Sequence, residues 1–127
     1  MDGKTILVVE NNELTMNLVR KLLTVGQYGM IEAPNAERGI QLAREHHPDL
    51  ILVGLQQPGM DGLTAARLIR KEPEIGDIPI VALSSQSVPD DEAKAQEAGC
   101  NGYLTKPLNM RVFLETVARL LWPAEVD

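Results

Sequence analysis

Four short polar clusters hold the residues of this chain that could do chemistry: Glu10-Asn11-Asn12, Gly54-Leu55-Gln56, Ser84-Ser85 and Lys106-Pro107. Each cluster follows an apolar run, so each is expected at the end of a strand. One carboxylate and one ammonium can pair directly, with hydroxyls and amides as hydrogen-bond partners around them. Other chemistries lack their parts. No Ser-His-Asp or Cys-His arrangement is evident, because the histidines, His46 and His47, stand side by side. At a helix C-terminus they read as structural rather than as metal ligands. The single cysteine, Cys100, excludes a disulfide framework and a four-cysteine metal site. It follows Gly99 and reads as an inert small residue. The stretch Glu10 to Glu13 contains no glycine, so it offers no glycine-rich phosphate cradle.

The elements that must position these clusters follow from periodicity. Ile6–Val9, Leu50–Val53 and Ile80–Leu83 are continuous apolar runs, as expected of central strands buried on both faces. Gly29–Ala33 and Gly102–Leu104 are more mixed and suit strands nearer the edges. Between them lie helical patterns. The first has Leu18, Val19, Leu22 and Leu23 on its apolar face, Asn12 as N-cap and Gly26 as stop. The second is capped by Asn35, buries Ala36, Ile40 and Ala43, and ends at His46, His47 and Pro48. The third runs from Leu63 to Lys71 after the turn 58–62, where Asp61 reads as a turn-former before Gly62. A short polar helix covers Asp90 to Ala98 and closes at Gly99. The fifth is capped by Asn109, presents Met110, Phe113, Leu114, Val117, Leu120 and Leu121, and ends at Pro123. Alternating strands and helices with short connections predict a doubly wound, five-stranded parallel sheet of flavodoxin-like order 2-1-3-4-5. In that order the four polar clusters converge on one rim, beside the switch point between the first and third strands.

Length and composition agree. The 127 residues suit one domain, residues 1–127, and 44% hydrophobic with 24% charged residues is ordinary for a soluble globular protein. A net charge of -6 leaves no basic stripe for nucleic acid. The apolar runs fall far short of the roughly 20 residues a membrane span needs. No basic leader precedes the first strand, so no signal peptide is expected and the expected location is cytoplasmic.

The segments Thr5–Asn11, Pro48–Val53, Pro58–Gly62, Ile78–Ser84 and Ala98–Pro107 carry a family resemblance over essentially the whole chain. It resembles the receiver domain of a two-component response regulator, of the stand-alone kind that acts through protein contacts. The resemblance implies an aspartate at the end of the third strand that accepts a phosphoryl group. It also implies two acidic residues after the first strand that hold Mg²⁺, a Ser/Thr after the fourth, and an aromatic and a lysine on the fifth. Glu10 matches the first acidic position, Ser84 the switch hydroxyl, Tyr103 the switch aromatic and Lys106 the lysine. In the family the peptide bond before the residue matching Pro107 is often cis.

Two positions depart. Asn11 stands where the second carboxylate belongs, and Gly54 stands at the acceptor position itself. Gln57 is a third departure, polar where the family has an apolar residue. Glycine offers no oxygen to form an acyl phosphate, and one carboxylate facing Lys106 can pair with it without metal. The expectation is therefore a phosphorylation-independent module, not an enzyme, with Mg²⁺ binding weak or absent and Glu10 the one weak candidate ligand. Its partner would be a protein, a histidine kinase or another signalling protein, met through the fourth helix, fifth strand and fifth helix. Three departures around one site fit natural loss better than a single acceptor knock-out.

Plainer readings stand beside these. Gly54 could be a close-packed strand end, Lys106 a surface lysine, Ser84 a loop hydroxyl and Tyr103 packing at a sheet edge. Trp122 could cover the last helix or touch a partner. The alternatives for the whole chain are an ordinary Mg²⁺-dependent receiver carrying substitutions, and a flavodoxin-like enzyme or nucleotide binder.

Overall fold

The computed structural model describes residues 3–57, 59–85 and 89–122. Pro58 and Pro123, expected in the turn before the third helix and at the end of the fifth, lie outside them. The three continuous apolar runs become β1 (Thr5–Val9), β3 (Leu50–Gly54) and β4 (Ile80–Ser84). β2 (Gly29–Ala33) and β5 (Gly102–Thr105) lie outside them, giving five parallel strands in the order 2-1-3-4-5. Exposure tracks sequence. β3 and β4 are buried at every position, whereas β2 and β5 are largely half-buried or exposed.

Side chains alternate across each strand, which divides the core into two layers. Ile6, Val8, Leu52 and Leu83 pack with Val19 and Leu23 of α1 (Glu13–Val25) and with Phe113 and Val117 of α5 (Met110–Leu121). Leu7, Val9, Val53 and Ile80 pack with Ile40 of α2 (Ala36–His46) and Ile69 of α3 (Gly62–Arg70). The short α4 (Pro89–Glu97) contributes Ala95 to a smaller cluster with Leu55, Ala82 and Tyr103.

Helix ends follow local hydrogen bonding. Asn12, Asn35 and Asn109 accept the amide protons of Thr15, Arg38 and Val112, satisfying donors that a helix start leaves open. Asp61 does more than form a turn: its Oδ1 accepts the Thr64 amide at 2.8 Å and caps α3, which begins one residue earlier than expected. Two expected core residues lie outside. Leu18 sits on the flank of α1 with exposed Leu14, while Met16 joins Val19, Leu22 and Leu23 inside. Met110 opens α5 one turn before the first buried residue, Phe113, and remains exposed.

Long-range pairs tie the layers. Arg20 of α1 grips Glu32 of β2 at 2.7 and 2.8 Å, which holds the Glu32 carboxyl below its ordinary range. Trp122 stacks on Tyr28 with ring centroids 6.1 Å apart, and Lys4 Nζ lies 5.8 Å from the Trp122 ring. Among the described residues no helix is long and apolar enough to cross a membrane.

Candidate functional site

Because every strand runs the same way, the residues just past β1, β3, β4 and β5 share one rim. Glu10 is 3% exposed, and its backbone N–H donates to Ala33 O of β2. Its Oε2 accepts the Asn12 amide at 2.9 Å, and Lys106 Nζ lies 3.4 Å from its Oε1. A Cβ built on Gly54 would stand 2.6 Å from Glu10 Oε1. The carboxylate thus fills the space that a side chain at position 54 would enter.

The start of α3 closes over the same point. A Cβ on Gly62 would lie 2.5 Å from Gly54 O, so a glycine is needed where these two backbones meet. Gln57 Nε2 donates to Gly54 O at 2.6 Å, and its Oε1 is buried with no hydrogen-bond partner among the described residues. Gln57 entered the sequence argument only as a departure from pattern. The fold places it against Gly54.

The remaining residues turn toward α4. Gln56 Oε1 accepts from both the amide and the hydroxyl of Ser85 at 3.0 Å. Ser84 is fully buried, and its hydroxyl donates to Asp91 Oδ2 in the first turn of α4 at 3.3 Å. Tyr103 packs on the cluster of Leu55, Ala82 and Ala95. Asn11 is exposed and lines a cleft with Glu10, Glu13 and Pro34. The Lys106–Pro107 peptide is cis. Glu10, Gly54, Gln57 and Lys106 therefore meet in one place, Ser84 is tied to α4, and Asn11 is exposed in the cleft beside Glu10.

The donor set does not suit a magnesium ion. Of Glu10, Asn11 and Gly54, only Glu10 carries a carboxylate, and both its oxygens are engaged by Asn12 and Lys106. Among the described residues no three His, Cys, Asp or Glu side chains are grouped to hold a metal. A hard divalent cation selects several oxygen ligands in near-ideal geometry.

A second cationic centre carries no signature in the sequence. Arg70, the last residue of α3, donates to Gly99 O, Gly76 O, Ile78 O and Asn101 Oδ1 at 2.6 to 2.9 Å. Burial pulls its pKa down, and the same desolvation pushes the neighbouring Cys100 thiol from 9.0 to about 11. Asp91 also went unremarked, since nothing in one sequence marks it among Asp90, Asp91 and Glu92.

Comparison with known proteins fits this geometry. Residues 6–118 match the response regulator receiver domain. The polar-differentiation response regulator DivK of Brucella ovis is 36% identical over 121 residues, covering 95% of this chain and 98% of DivK. A Chloroflexus aurantiacus protein described as a response regulator superposes with a TM-score of 0.92 at 26% identity, covering 94% of this chain and 98% of that one. The receiver domain of the Pseudomonas aeruginosa sensor histidine kinase PA1611, solved with magnesium in its active-site cleft, gives 0.87 at 27% identity with 94% and 98% coverage. With its sheet order, its convergent rim and a match across most of its length, the chain belongs to the response regulator receiver domain family of two-component signalling.

Proposed function

We propose that this chain is one receiver domain over residues 1–127 that does not accept a phosphoryl group and acts by binding a protein partner. One observation carries the proposal: Gly54 has no side chain, and the Glu10 carboxylate lies where an acceptor side chain would stand. Acyl phosphate formation needs a free carboxylate oxygen to attack phosphorus, with cations around the transferring group. Position 54 supplies no oxygen. Glu10 is buried, and its oxygens are committed to the Asn12 amide and Lys106.

In this reading Lys106 neutralises Glu10 instead of contacting a phosphoryl oxygen. Ser84 holds α4 through Asp91 instead of turning inward to a bound phosphoryl group. The output face is α4, β5 and α5 with Tyr103 at its centre, and the partner is a histidine kinase or another signalling protein. DivK, which this chain matches at 36% identity, is itself a response regulator and supports a signalling role. Without a phosphoryl switch, any two-state behaviour must come from a partner that binds the two states with different affinity.

The test is intact mass and amide NMR after incubation with acetyl phosphate or beryllofluoride in the presence of Mg²⁺. The expected result is unchanged mass and unmoved amide signals at Gly54, Ser84 and Lys106. A phosphoryl adduct, or saturable shifts around that rim, defeats the proposal.

A further inference from the structure

One of the four oxygens held by Arg70, Asn101 Oδ1, belongs to the only asparagine of the chain that precedes a glycine. An Asn-Gly pair is chemically labile, because glycine has no Cβ to keep its nitrogen from the side-chain carbonyl carbon. The Gly102 nitrogen, having lost its proton to base, can attack Asn101 Cγ. A nitrogen–carbon bond forms and Oδ1 takes the negative charge. The Cγ–Nδ2 bond then breaks, and Nδ2 takes up a proton and leaves as ammonia. Water opens the five-membered imide at either carbonyl, leaving aspartate or isoaspartate. Asn101 is exposed, so water and base reach it.

The fold fastens this asparagine at three points. Its Oδ1 accepts from Arg70 Nη2 at 2.6 Å and from the Ile80 amide at 2.9 Å. Its own N–H donates to Ile80 O at 2.6 Å, so side chain and backbone are both tied to the first residue of β4. Consecutive amides of an extended strand point opposite ways, so the Gly102 N–H faces away from β4. The two donors on Oδ1 have opposed effects. They polarise the carbonyl, yet oxyanion stabilisation acts only at the position the oxygen reaches during attack. These donors are set on the resting carboxamide, and ring closure needs Cγ to swing over Gly102 N. Geometry decides the sign, because reacting atoms held out of line forfeit the gain of proximity.

We propose that Asn101–Gly102 is a latent deamidation site and that Arg70 guards it. The guard protects the strand that the pair opens. Isoaspartate adds a methylene to the main chain at the entry to β5, which would shift the pairing of Tyr103 with β4 and the position of Lys106 beyond it. Aspartate keeps the backbone length and would hold Arg70 as a charged pair.

The experiment incubates the whole chain at mildly alkaline pH and follows amide-to-acid conversion by intact mass, with fragmentation to place it. The native chain should convert at position 101 at least about tenfold more slowly than the chain unfolded in guanidinium. Arg70→Ala, at a temperature where hydrogen exchange shows it folded, should convert at least about threefold faster than native. Val19→Ala is the control for general loosening, since Val19 packs in the opposite core layer and its truncation lowers stability without touching Asn101. It should leave the rate at Asn101 unchanged. Adding Gly102→Ala to Arg70→Ala should abolish the gain, and the new Cβ meets only side chains, the nearest at 3.3 Å. Native conversion as fast as in the unfolded chain, no acceleration in Arg70→Ala, equal acceleration in Val19→Ala, or a gain that survives Gly102→Ala would each overturn the proposal.

Discussion

Arg70 and Lys106 both reach across this molecule, and they are held very differently. Arg70 is surrounded by four fixed oxygens, three of them main-chain carbonyls, from the loops that enter β4 and β5. Its planar guanidinium suits that task, because several donors point at once to acceptors fixed by the fold. Lys106 has a longer contact to Glu10, at 3.4 Å, and its side chain is 23% exposed. The first cation is a structural brace. The second is a loosely held charge on a rim, balanced by the single carboxylate of Glu10. A charge saturated by backbone gains nothing from a ligand, whereas one balanced by a single side chain depends on which side chain that is.

This contrast can be broken in steps. Arg70→Ala should cost about 3 kcal/mol, since several part-buried carbonyls lose a charged donor together. That corresponds to a fall in melting temperature of roughly 10 °C, readable by calorimetry. Arg70→Lys should recover only a minor part of it, because one ammonium cannot span all four oxygens. Next, the paired substitution Asn11→Asp with Gly54→Asp should take up phosphoryl from acetyl phosphate at least about tenfold faster than Gly54→Asp alone, because a second carboxylate is restored for the cation. Equal rates in the two variants, followed by intact mass, would show that Asn11 has no part in the proposed loss of phosphoryl acceptance.

Smaller effects sharpen the same comparison. Lys106→Ala should cost about 2 kcal/mol in urea unfolding, below Arg70→Ala, because its contact is long, although it leaves the buried Glu10 carboxylate without its counter-charge. A loss equal to that of Arg70→Ala would erase the distinction between brace and rim. The smallest effect belongs to Cys100, beside Arg70. Its folded pKa of about 11 lies above the ordinary 9.0, so the neutral thiol favours the folded state. That contribution is complete below pH 9.0 and is lost as pH rises toward about 11. Cys100→Ala should flatten stability against pH in that window, and native Cys100 should react far more slowly with iodoacetamide at pH 8 than the unfolded chain does.

Much of the fold was legible because burial on both faces leaves a plain mark. Leu50–Val53 and Ile80–Leu83 read as central strands and are, and Asn12, Asn35 and Asn109 cap helices where their short amides predict. Leu18 and Met110 misled because an apolar residue one position off a helical stripe, or in its first turn, looks the same in sequence as one inside. The rim was legible as a set of positions, since parallel strands deliver their ends to one edge. Its contacts were not. Nothing in the spacing says that the Glu10 carboxylate lies beside the bare Gly54 Cα, or that Gln57 folds back onto Gly54 O. Arg70 was invisible for a related reason: its partners are mainly carbonyls, which every residue carries.

The stack of Trp122 on Tyr28 has a practical consequence. Trp122 is the only tryptophan of the chain, and it sits at the C-cap of α5 with Lys4 over its ring. Its emission is therefore an intrinsic optical gauge of whether the last turn of α5 is seated against the chain before β2. A partner that shifts α5 would change the colour and intensity of that light without any attached dye.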